Sequence, residues 1–349
     1  MTTKTTLSQS KSRSRRPTLR DVAALAGVSY KTVSRVVNDE AGVSPALAER
    51  VRQASAQLDY HPDRTASSLR RGDRRTASIG LILEDVSNPF SGAMYRAVED
   101  VAISRGVTVL AGSCDEEATR AHMLVSAFAS RRVDGMIVVP PPGDLTPLLL
   151  EQRNGTEVVF LDRAAAYSGV DAVVSDNRRG AAGGVAHLIR HGHRRIAFLG
   201  DEPAIWTAEE RYQGYLDALA AHDVPVDLGI VRRDSEHGEA TVHSVAAMLA
   251  VDPPPTALFT GQNLITMDAI RALRALGRRR DVAMVGFDDF QLADMLEPGV
   301  TVIAQDLTRM GHRAAEMLFE RIDGVDHPAR LEIIPTRLIT RGSGEIRPA

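Results

Sequence analysis

The sequence is poor in the features that mark secreted, fibrous or membrane proteins. Cys114 is the only cysteine among 349 residues, which excludes an internal disulfide. Aromatic residues make up only 4%, yet 44% of residues are apolar, so the composition excludes a disordered or collagen-like chain. No apolar run reaches the roughly 18 residues of a membrane span, and the N-terminal stretch has none of signal-peptide length. We expect a cytoplasmic protein of about two globular domains, without a membrane partner.

Charge is unevenly distributed along the chain. Residues 1–75 carry a net charge of +8 and the remainder carries −11, although the whole chain carries only −3. Lysine and arginine neutralise phosphates, so a basic head on an acidic body favours a polyanion as the partner of the head alone. A merely solvated basic tail is the alternative. Residues 1–16 contain almost nothing to bury, which predicts a disordered basic arm.

The basic head also contains signals for short helices over residues 17–62. Thr18, with an acidic residue three positions later, resembles a capping box, so a helix should begin at the next residue. Gly27 tolerates the left-handed conformation that ends a helix, and Ser29 can cap a second helix over about Tyr30–Asn38. A third helix should start with Pro45 in its first turn, after a serine cap. Helices joined by a tight glycine turn predict a helix-turn-helix DNA-binding domain.

Residues 63–76 read as a hinge helix and linker. The segment is too short to be stable as an isolated helix and is basic at its end. Leu69 lies among arginines, where an apolar side chain can act as a wedge that enters a minor groove and unstacks a base step. An ordinary linker with a stray leucine fits the composition equally well.

Three motifs in the head resemble the LacI/GalR family of bacterial transcriptional regulators. They are DVAALAGVSYKTVSRVVN from Asp21, VSPALAERV from Val43 and YHPDRTASSLRRG from Tyr60. In that family the second helix reads the major groove of an operator and a hinge leucine enters its minor groove. The resemblance implies that Tyr30, Lys31 and Arg35 contact bases and that Leu69 is the wedge. It also implies backbone-phosphate contacts from Thr18, Ser29, Thr32, Ser34 and Asn38.

Beyond the head, short β-branched runs alternate with helical stretches, which predicts parallel sheets covered on both faces. The predicted strands are Ile79–Leu83, Val107–Ala111, Gly135–Val139, Val158–Leu161, Ile196–Gly200, Ala257–Thr260 and Val282–Phe287. The length from residue 77 to 349 exceeds one sheet of usual size, so we expect an α/β body of two doubly wound subdomains. We place subdomain 1 at about 77–175 with 306–324, and subdomain 2 at about 176–305 with 325–349.

Ligands of open parallel sheets bind at the carboxyl ends of strands, where this body has charged, amide and aromatic residues. The body is similar to a periplasmic sugar-binding protein, and the family resemblance covers nearly the whole chain from Thr18. The motifs include EDVSNPF, FLDR, ERYQGY and VGFDD. The resemblance implies effector contacts from Phe90, Asp162, Arg163, Trp206, Arg211, Asn263 and Asp288, with Phe90 and Trp206 as stacking faces. For Arg211, a surface salt bridge is the alternative.

Two departures from the family pattern bear on the effector. Gln262-Asn263-Leu264 stands where many relatives have Asn-Asp, so one cleft carboxylate is missing or supplied elsewhere. Ile205 stands where a purine-responsive relative would have arginine, which argues against a nucleobase. A sugar or sugar-like polyol is the expected effector. Phosphorylated sugars and sugar acids remain open, because Arg163 and Arg211 could each bind an anion.

Signals for other chemistry are weak. The sequence has no G-x-S-x-G, P-loop, G-x-G-x-x-G or H-E-x-x-H motif, so we expect no enzyme activity, cofactor or metal. His187, His191 and His193 are close in sequence, but capping or solvation explains them better than metal binding. Asp288 and Asp289 are adjacent, so they should point apart rather than form an acid-base pair.

The sequence thus predicts a DNA-binding regulator, expected to be a repressor, whose affinity for a near-palindromic operator depends on a sugar-like effector. We expect a homodimer, because no leucine heptad for a four-chain assembly follows Arg341. The alternative is a cytoplasmic sugar-binding or sugar-modifying protein whose basic head binds nucleic acid only loosely.

Overall fold

The computed structural model describes residues 17–38, 40–61, 75–164, 169–234 and 237–349. It divides the chain into two compact units between Thr76 and Ala77, here called the head and the body. The predicted basic arm, and Leu69 with most of the predicted hinge, lie outside the described residues.

The head contains three helices around a small apolar core. They are α1 (Leu19–Ala26), α2 (Tyr30–Val37) and α3 (Pro45–Gln57). Val22, Val33 and Val51, one from each helix, are fully buried against one another. The predicted helix-turn-helix is confirmed.

The helix ends follow the predicted signals, with one exception. The carboxylate that follows Thr18 by three residues accepts hydrogen bonds from the Thr18 amide and hydroxyl, both at 2.7 Å. Gly27 adopts a left-handed conformation, φ 61°, and the next amide donates back to the carbonyl of Ala23 at 3.1 Å. The Ser29 hydroxyl accepts from the amide of Thr32 at 3.1 Å. The serine before α3, by contrast, makes no side-chain capping bond.

The first subdomain of the body is built on a six-stranded, fully parallel sheet of order β11-β5-β4-β3-β1-β2. Its strands and helices are β1 (Ser78–Leu83), α4 (Pro89–Ser104), β2 (Thr108–Ser113), α5 (Ala118–Ser130), β3 (Gly135–Val138), α6 (Thr146–Arg153), β4 (Glu157–Leu161), β5 (Asp171–Ser175), α11 (Leu307–Ile322) and β11 (Leu331–Ile334). Leu81 packs with Met94 and Leu318 on one face, whereas Ile82 packs with Val125 on the other. Both faces are therefore covered by helices.

The second subdomain repeats this plan with the order β12-β10-β9-β8-β6-β7, in which only β12 is antiparallel. Its elements are α7 (Asn177–Arg190), β6 (Ile196–Leu199), α8 (Trp206–Ala221), β7 (Val231–Arg232), α9 (Glu239–Leu249), β8 (Ala257–Thr260), α10 (Asn263–Ala275), β9 (Ala283–Phe287), β10 (Thr301–Ala304) and β12 (Arg337–Ile339). Phe259 faces the core beneath α7 and α8, and Leu258 faces the core beneath α9 and α10.

Each of the seven predicted strands overlaps an observed strand, and the two parallel-sheet subdomains are confirmed. One predicted boundary is wrong. Residues 325–349 were assigned to subdomain 2, but β11 pairs with β5 and forms an edge of the first sheet. The predicted return to subdomain 1 over 306–324 therefore extends through β11, and the chain crosses to the second sheet only at β12. β11 is an edge strand with largely exposed side chains, so no buried apolar run marks it in the sequence.

Close packing of α7 on α8 depends on Gly214. A Cβ at this position would lie 2.1 Å from the carbonyl oxygen of Arg178, on the backbone of α7. The neighbouring Cβ of Ala181 would be 2.9 Å away. Gly183, on the exposed side of α7, would meet nothing within 4 Å.

We therefore expect Gly214→Ala to destabilise the body by roughly 2–3 kcal/mol, because backbone must move to relieve the overlap. Gly183→Ala is the matched control, and better helix propensity should leave it neutral or more stable by up to about 1 kcal/mol. Urea unfolding followed by circular dichroism measures both variants. Equal stability of the two would contradict this account of the helix packing.

Candidate functional site

Helix α2 presents polar side chains on the surface opposite its core contacts. Val33 is fully buried, and Val36 and Val37 pack partly against the same core. Tyr30 and Lys31, at the first turn, are exposed. Arg35 follows Lys31 by one helical turn, so the two cations lie on one face. Donors on an exposed helix face suit the acceptor-rich edges of base pairs.

A surface groove of about 270 Å³ runs beside this face. Lys31, Thr32 and Arg35 line it together with Gly42 and Ser44 from the approach to α3. Cationic and hydroxyl groups in one groove can donate to phosphate oxygens.

The other polar residues predicted to contact phosphates have local partners in the helix ends. The hydroxyls of Ser29 and Thr32 are 2.9 Å apart, and the amide nitrogen of Asn38 lies 3.4 Å from the Ser34 hydroxyl. Thr18 bonds to the acidic residue that caps α1. These contacts fix the side chains at the helix termini. Leu69, the predicted wedge, lies outside the described residues.

In the body, the carboxyl ends of both sheets enclose a cavity of about 260 Å³ between the subdomains, here called the cleft. Six of the seven predicted effector residues line it. The lining comprises Glu84, Asp85, Asn88, Phe90, Asp115, Glu116, Asp162, Arg163, Asp201, Ile205, Thr207, Arg211, His237, Gln262, Asn263, Leu264 and Asp288. Trp206 is the exception: it is half-buried and does not line the cleft, whereas Ile205 and Thr207 on either side of it do.

Two aspartates occupy equivalent positions in the two subdomains. Asp162 follows β4 and Asp288 follows β9, and both adopt the left-handed conformation, with φ of 68° and 70°. Their amides donate to the carbonyls of Val173 and Ile303 on the next strands, at 2.8 and 2.9 Å. Aspartate tolerates this conformation better than most residues. The chain thereby turns out of each sheet at the cleft.

Asp289, which follows Asp288, pairs with Arg341, so the adjacent aspartates diverge as predicted.

Arg163 is buried on the subdomain 1 side of the cleft. Its Nη1 donates to Oε2 of Glu116 at 2.6 Å and its Nη2 to the other oxygen of the same carboxylate. Nη1 also approaches the carbonyl of Pro140 at 3.3 Å. Burial by itself would lower the pKa of Arg163, but the hydrogen bonds and charge of Glu116 outweigh it and raise that pKa. The guanidinium is therefore cationic and already committed to a carboxylate.

Arg211, on α8, is the corresponding cation of subdomain 2. Only 4% of its surface is exposed, which excludes the surface salt bridge considered above. Its guanidinium donates to Asn177 at 2.8 Å, to the carbonyl of Gly261 at 2.7 Å and to Asp288 at 3.3 Å. The same group stacks 4.0 Å from the ring centre of Phe287. These contacts hold it in one orientation at the wall of the cleft.

An amide pair connects the two walls. Nδ2 of Asn263, on α10, donates to Oδ1 of Asn88 at 2.9 Å, and the reverse contact measures 3.5 Å. Both residues are buried, and the same Asn88 oxygen accepts from the amide of Phe90 at 3.1 Å. A ligand in the cleft can therefore compete for, or add to, hydrogen bonds that span the subdomains.

Burial is the main cause of the raised pKa of four carboxyls in the cleft. It raises the pKa of Asp162, of Asp288 and of Asp201, and nearby guanidinium groups oppose each rise. Burial likewise raises the pKa of Glu84 to about 7, against the hydrogen bond from Ser91. The cleft disfavours additional negative charge.

Sequence reasoning missed several lining residues. Asp115 and Glu116 escaped because β2 was predicted to end four residues before them, and both adopt left-handed conformations with φ of 50° and 60°. Glu84 was seen only as part of a motif. Gln262 donates to Asp201 at 3.3 Å, so a carboxylate reaches the region in which one seemed to be missing.

The histidines near α7 have structural partners. His187 pairs with Glu345, and His193 bonds to Thr256 at 2.8 Å and to the carbonyl of Ile346 at 2.7 Å. Within the described ranges, no cluster of three or more His, Cys, Asp or Glu side chains is arranged to hold a metal ion. The described part of the chain also lacks any helix with the length and apolarity to cross a membrane.

Comparison with known proteins yields matches to both units. Residues 18–63 match the family of bacterial regulatory proteins, lacI family, and residues 185–344 match a periplasmic binding protein-like domain. The ribose operon repressor of Halalkalibacterium halodurans is 32% identical over 93% of this chain and 96% of its own. The transcriptional regulator CelR of Thermobifida fusca is 34% identical over 95% of this chain and 99% of its own.

Solved structures agree over nearly the full length. A CelR–cellobiose complex is 31% identical, with a TM-score of 0.71 over 94% of this chain and 100% of that one. The lac repressor dimer bound to operator and the anti-inducer ONPF is 26% identical, with a TM-score of 0.83 over 95% of this chain and 99% of that one. With a helix-turn-helix head, a two-subdomain body and relatives matched from end to end, the chain belongs to the lacI family of bacterial regulatory proteins.

Proposed function

We propose that this protein is a transcriptional repressor whose operator affinity is controlled by a small sugar or sugar-like polyol bound in the cleft. One observation carries the proposal: the same chain joins a helix-turn-helix with a cationic reading face to a buried polar cleft between two α/β subdomains. Relatives named as repressors, and neighbours solved with operator or with a sugar, support it. Such a protein acts in the cytoplasm, where bacterial DNA lies.

The head supplies affinity and sequence preference by different contacts. Tyr30, Lys31 and Arg35 read base edges, and Thr18, Ser29, Thr32, Ser34 and Asn38 hold the helix in register through phosphates. Arg35 makes the strongest contribution to preference, because a bidentate arginine–guanine pair discriminates by about 1–3 kcal/mol. Leu69 wedges the centre of the operator. A homodimer places two heads on the half-sites of a near-palindrome, and the lac repressor dimer on its operator supports this arrangement.

The cleft supplies the control. Phe90 offers a ring face, while Asp162, Arg163, Arg211, Asn263 and Asp288 offer oriented hydrogen-bonding groups to hydroxyls. An effector that binds one arrangement of the subdomains better than another shifts the body toward it. A coupling of about 1–3 kcal/mol then changes operator affinity by about 5–150-fold.

The alternative, a sugar-binding or sugar-modifying protein with a loosely DNA-binding head, predicts different behaviour on DNA. Its affinity would depend on salt and on length but hardly on sequence. The chain's regulator relatives favour the repressor.

Replacing Arg35 distinguishes a sequence-specific repressor from a loose DNA binder. We expect Arg35→Ala to lose about 1–3 kcal/mol of preference for the operator over unrelated DNA, because the arginine no longer discriminates between bases. The variant also loses one positive charge near the phosphates, which weakens binding to every duplex. Arg52→Ala is the matched control, since Arg52 is an exposed α3 cation paired only weakly, at 3.6 Å, with Glu49. Fluorescence anisotropy with operator and scrambled duplexes at two salt concentrations measures both variants. A uniform loss on both duplexes would favour the loose binder.

Replacing Arg211 tests the cleft. We expect Arg211→Ala to weaken the response to effector by 10–100-fold, because hydrogen bonds from charged groups contribute about 1.5–3 kcal/mol. Operator affinity without effector should stay within twofold of the original. Arg178→Ala is the control, because it removes an exposed cation of α7 that pairs with Asp217 on α8.

Loss of Arg211 leaves Asp288 buried without its cation, so thermal melting must accompany the measurement. Asn263→Ala removes an uncharged contact from the same wall and provides a second, independent test of the cleft. A full effector response in both variants would refute the site.

A further inference from the structure

Carboxylates outnumber guanidinium groups on the walls of the cleft. Seven carboxylates line it, from Glu84, Asp85, Asp115, Glu116, Asp162, Asp201 and Asp288, against the guanidinium groups of Arg163 and Arg211. Arg163 is held by Glu116 and Arg211 by Asp288, so neither cation offers an uncompensated positive charge to a ligand.

The unmet hydrogen-bonding capacity lies mainly on subdomain 1. Among the described residues that line the cleft, two acceptors and one donor are buried without a hydrogen-bond partner: Oε2 of Glu84, Oδ1 of Asp162 and Nε of Arg163. Asp162 is 4% exposed. The other Glu84 oxygen accepts from the buried hydroxyl of Ser91 at 2.5 Å, which fixes the carboxyl on the wall. Burying an acceptor without a donor costs free energy, so these two oxygens are suited to accept hydrogen bonds from a ligand.

We propose that Glu84 is a further effector-binding residue that determines specificity: with Asp162 it accepts hydrogen bonds from neighbouring hydroxyls of an uncharged sugar and excludes anionic sugars. This inference rests on the proposed function of the cleft. It closes the question that sequence left open, because phosphate esters and sugar acids would add a negative charge beside two unpartnered carboxyl oxygens.

The charge on Glu84 makes binding depend on pH in a definite direction. Its pKa is raised to about 7 by burial; Asp162 adds to the rise, whereas Ser91 and Arg163 oppose it. Cys114 lies near enough to interact with it as well. Hydroxyl donors favour the ionised carboxylate, so effector affinity should rise as pH increases from about 6 to 8.

Isothermal titration calorimetry on the full chain tests the proposal. The probes are neutral aldopentoses, aldohexoses and cellobiose, together with the phosphate esters and aldonic acids of the same sugars. We expect one neutral sugar to bind and its phosphate ester and aldonic acid to bind at least 100-fold more weakly. The affinity for the neutral sugar should rise several-fold between pH 6 and 8. Glu84→Gln, which keeps the shape and the Ser91 contact, should weaken binding tenfold or more at pH 8 and flatten this pH profile.

Glu99→Gln is the matched control, because it makes the same change at a carboxylate of α4 that bonds to Tyr95 and Arg96 and does not line the cleft. Unchanged affinity and pH profile in Glu84→Gln would overturn the proposal. Tight binding of an anionic probe would also overturn it, as would failure of every neutral sugar to bind. Failure of the chain to bind any specific duplex would instead refute the proposed repressor function and leave the role of Glu84 standing.

Discussion

The organisation of the body depends on the burial of two guanidinium groups at the carboxyl ends of its sheets. A buried cation is tolerated only when a carboxylate and further acceptors surround it. Arg163 meets this condition through Glu116 and Pro140, and Arg211 meets it through Asp288, Asn177 and Gly261. Each network draws its members from several loops that follow different strands. The same contacts that satisfy the cations therefore fix the walls of the cleft.

Control of DNA binding requires that the two walls can exist in more than one arrangement. The hydrogen bonds between Asn88 and Asn263 directly join the two walls of the cleft, and amide pairs of this kind can be exchanged for bonds to a ligand at small cost. A ligand that bonds to both walls at once gains most in the arrangement that brings its partners together. The difference between its binding free energies in the two arrangements is the free energy available to change the affinity of the heads for DNA.

Much of this architecture was predictable from local sequence. The glycine turn at Gly27 and the cap at Ser29 follow from backbone preferences that neighbouring residues decide, and seven strands follow from short β-branched runs. The family resemblance, together with the rule that ligands bind at strand ends, placed six of the seven predicted effector residues at one cavity. Trp206 departs because α8 begins at that residue and its neighbours, rather than its own side chain, reach the cleft. Glu116 was missed because its left-handed turn lies beyond the predicted strand. β11 was missed because it is an edge strand whose exposed side chains give no buried apolar run.

The central claim is that a sugar in the cleft controls sequence-specific DNA binding by the head. Selection of genomic fragments by the purified protein, with and without neutral monosaccharides at fixed salt, tests it most directly. We predict that a short near-palindrome is enriched and that one monosaccharide changes its enrichment. Enrichment of no common sequence, or of one that no sugar alters, would contradict the account.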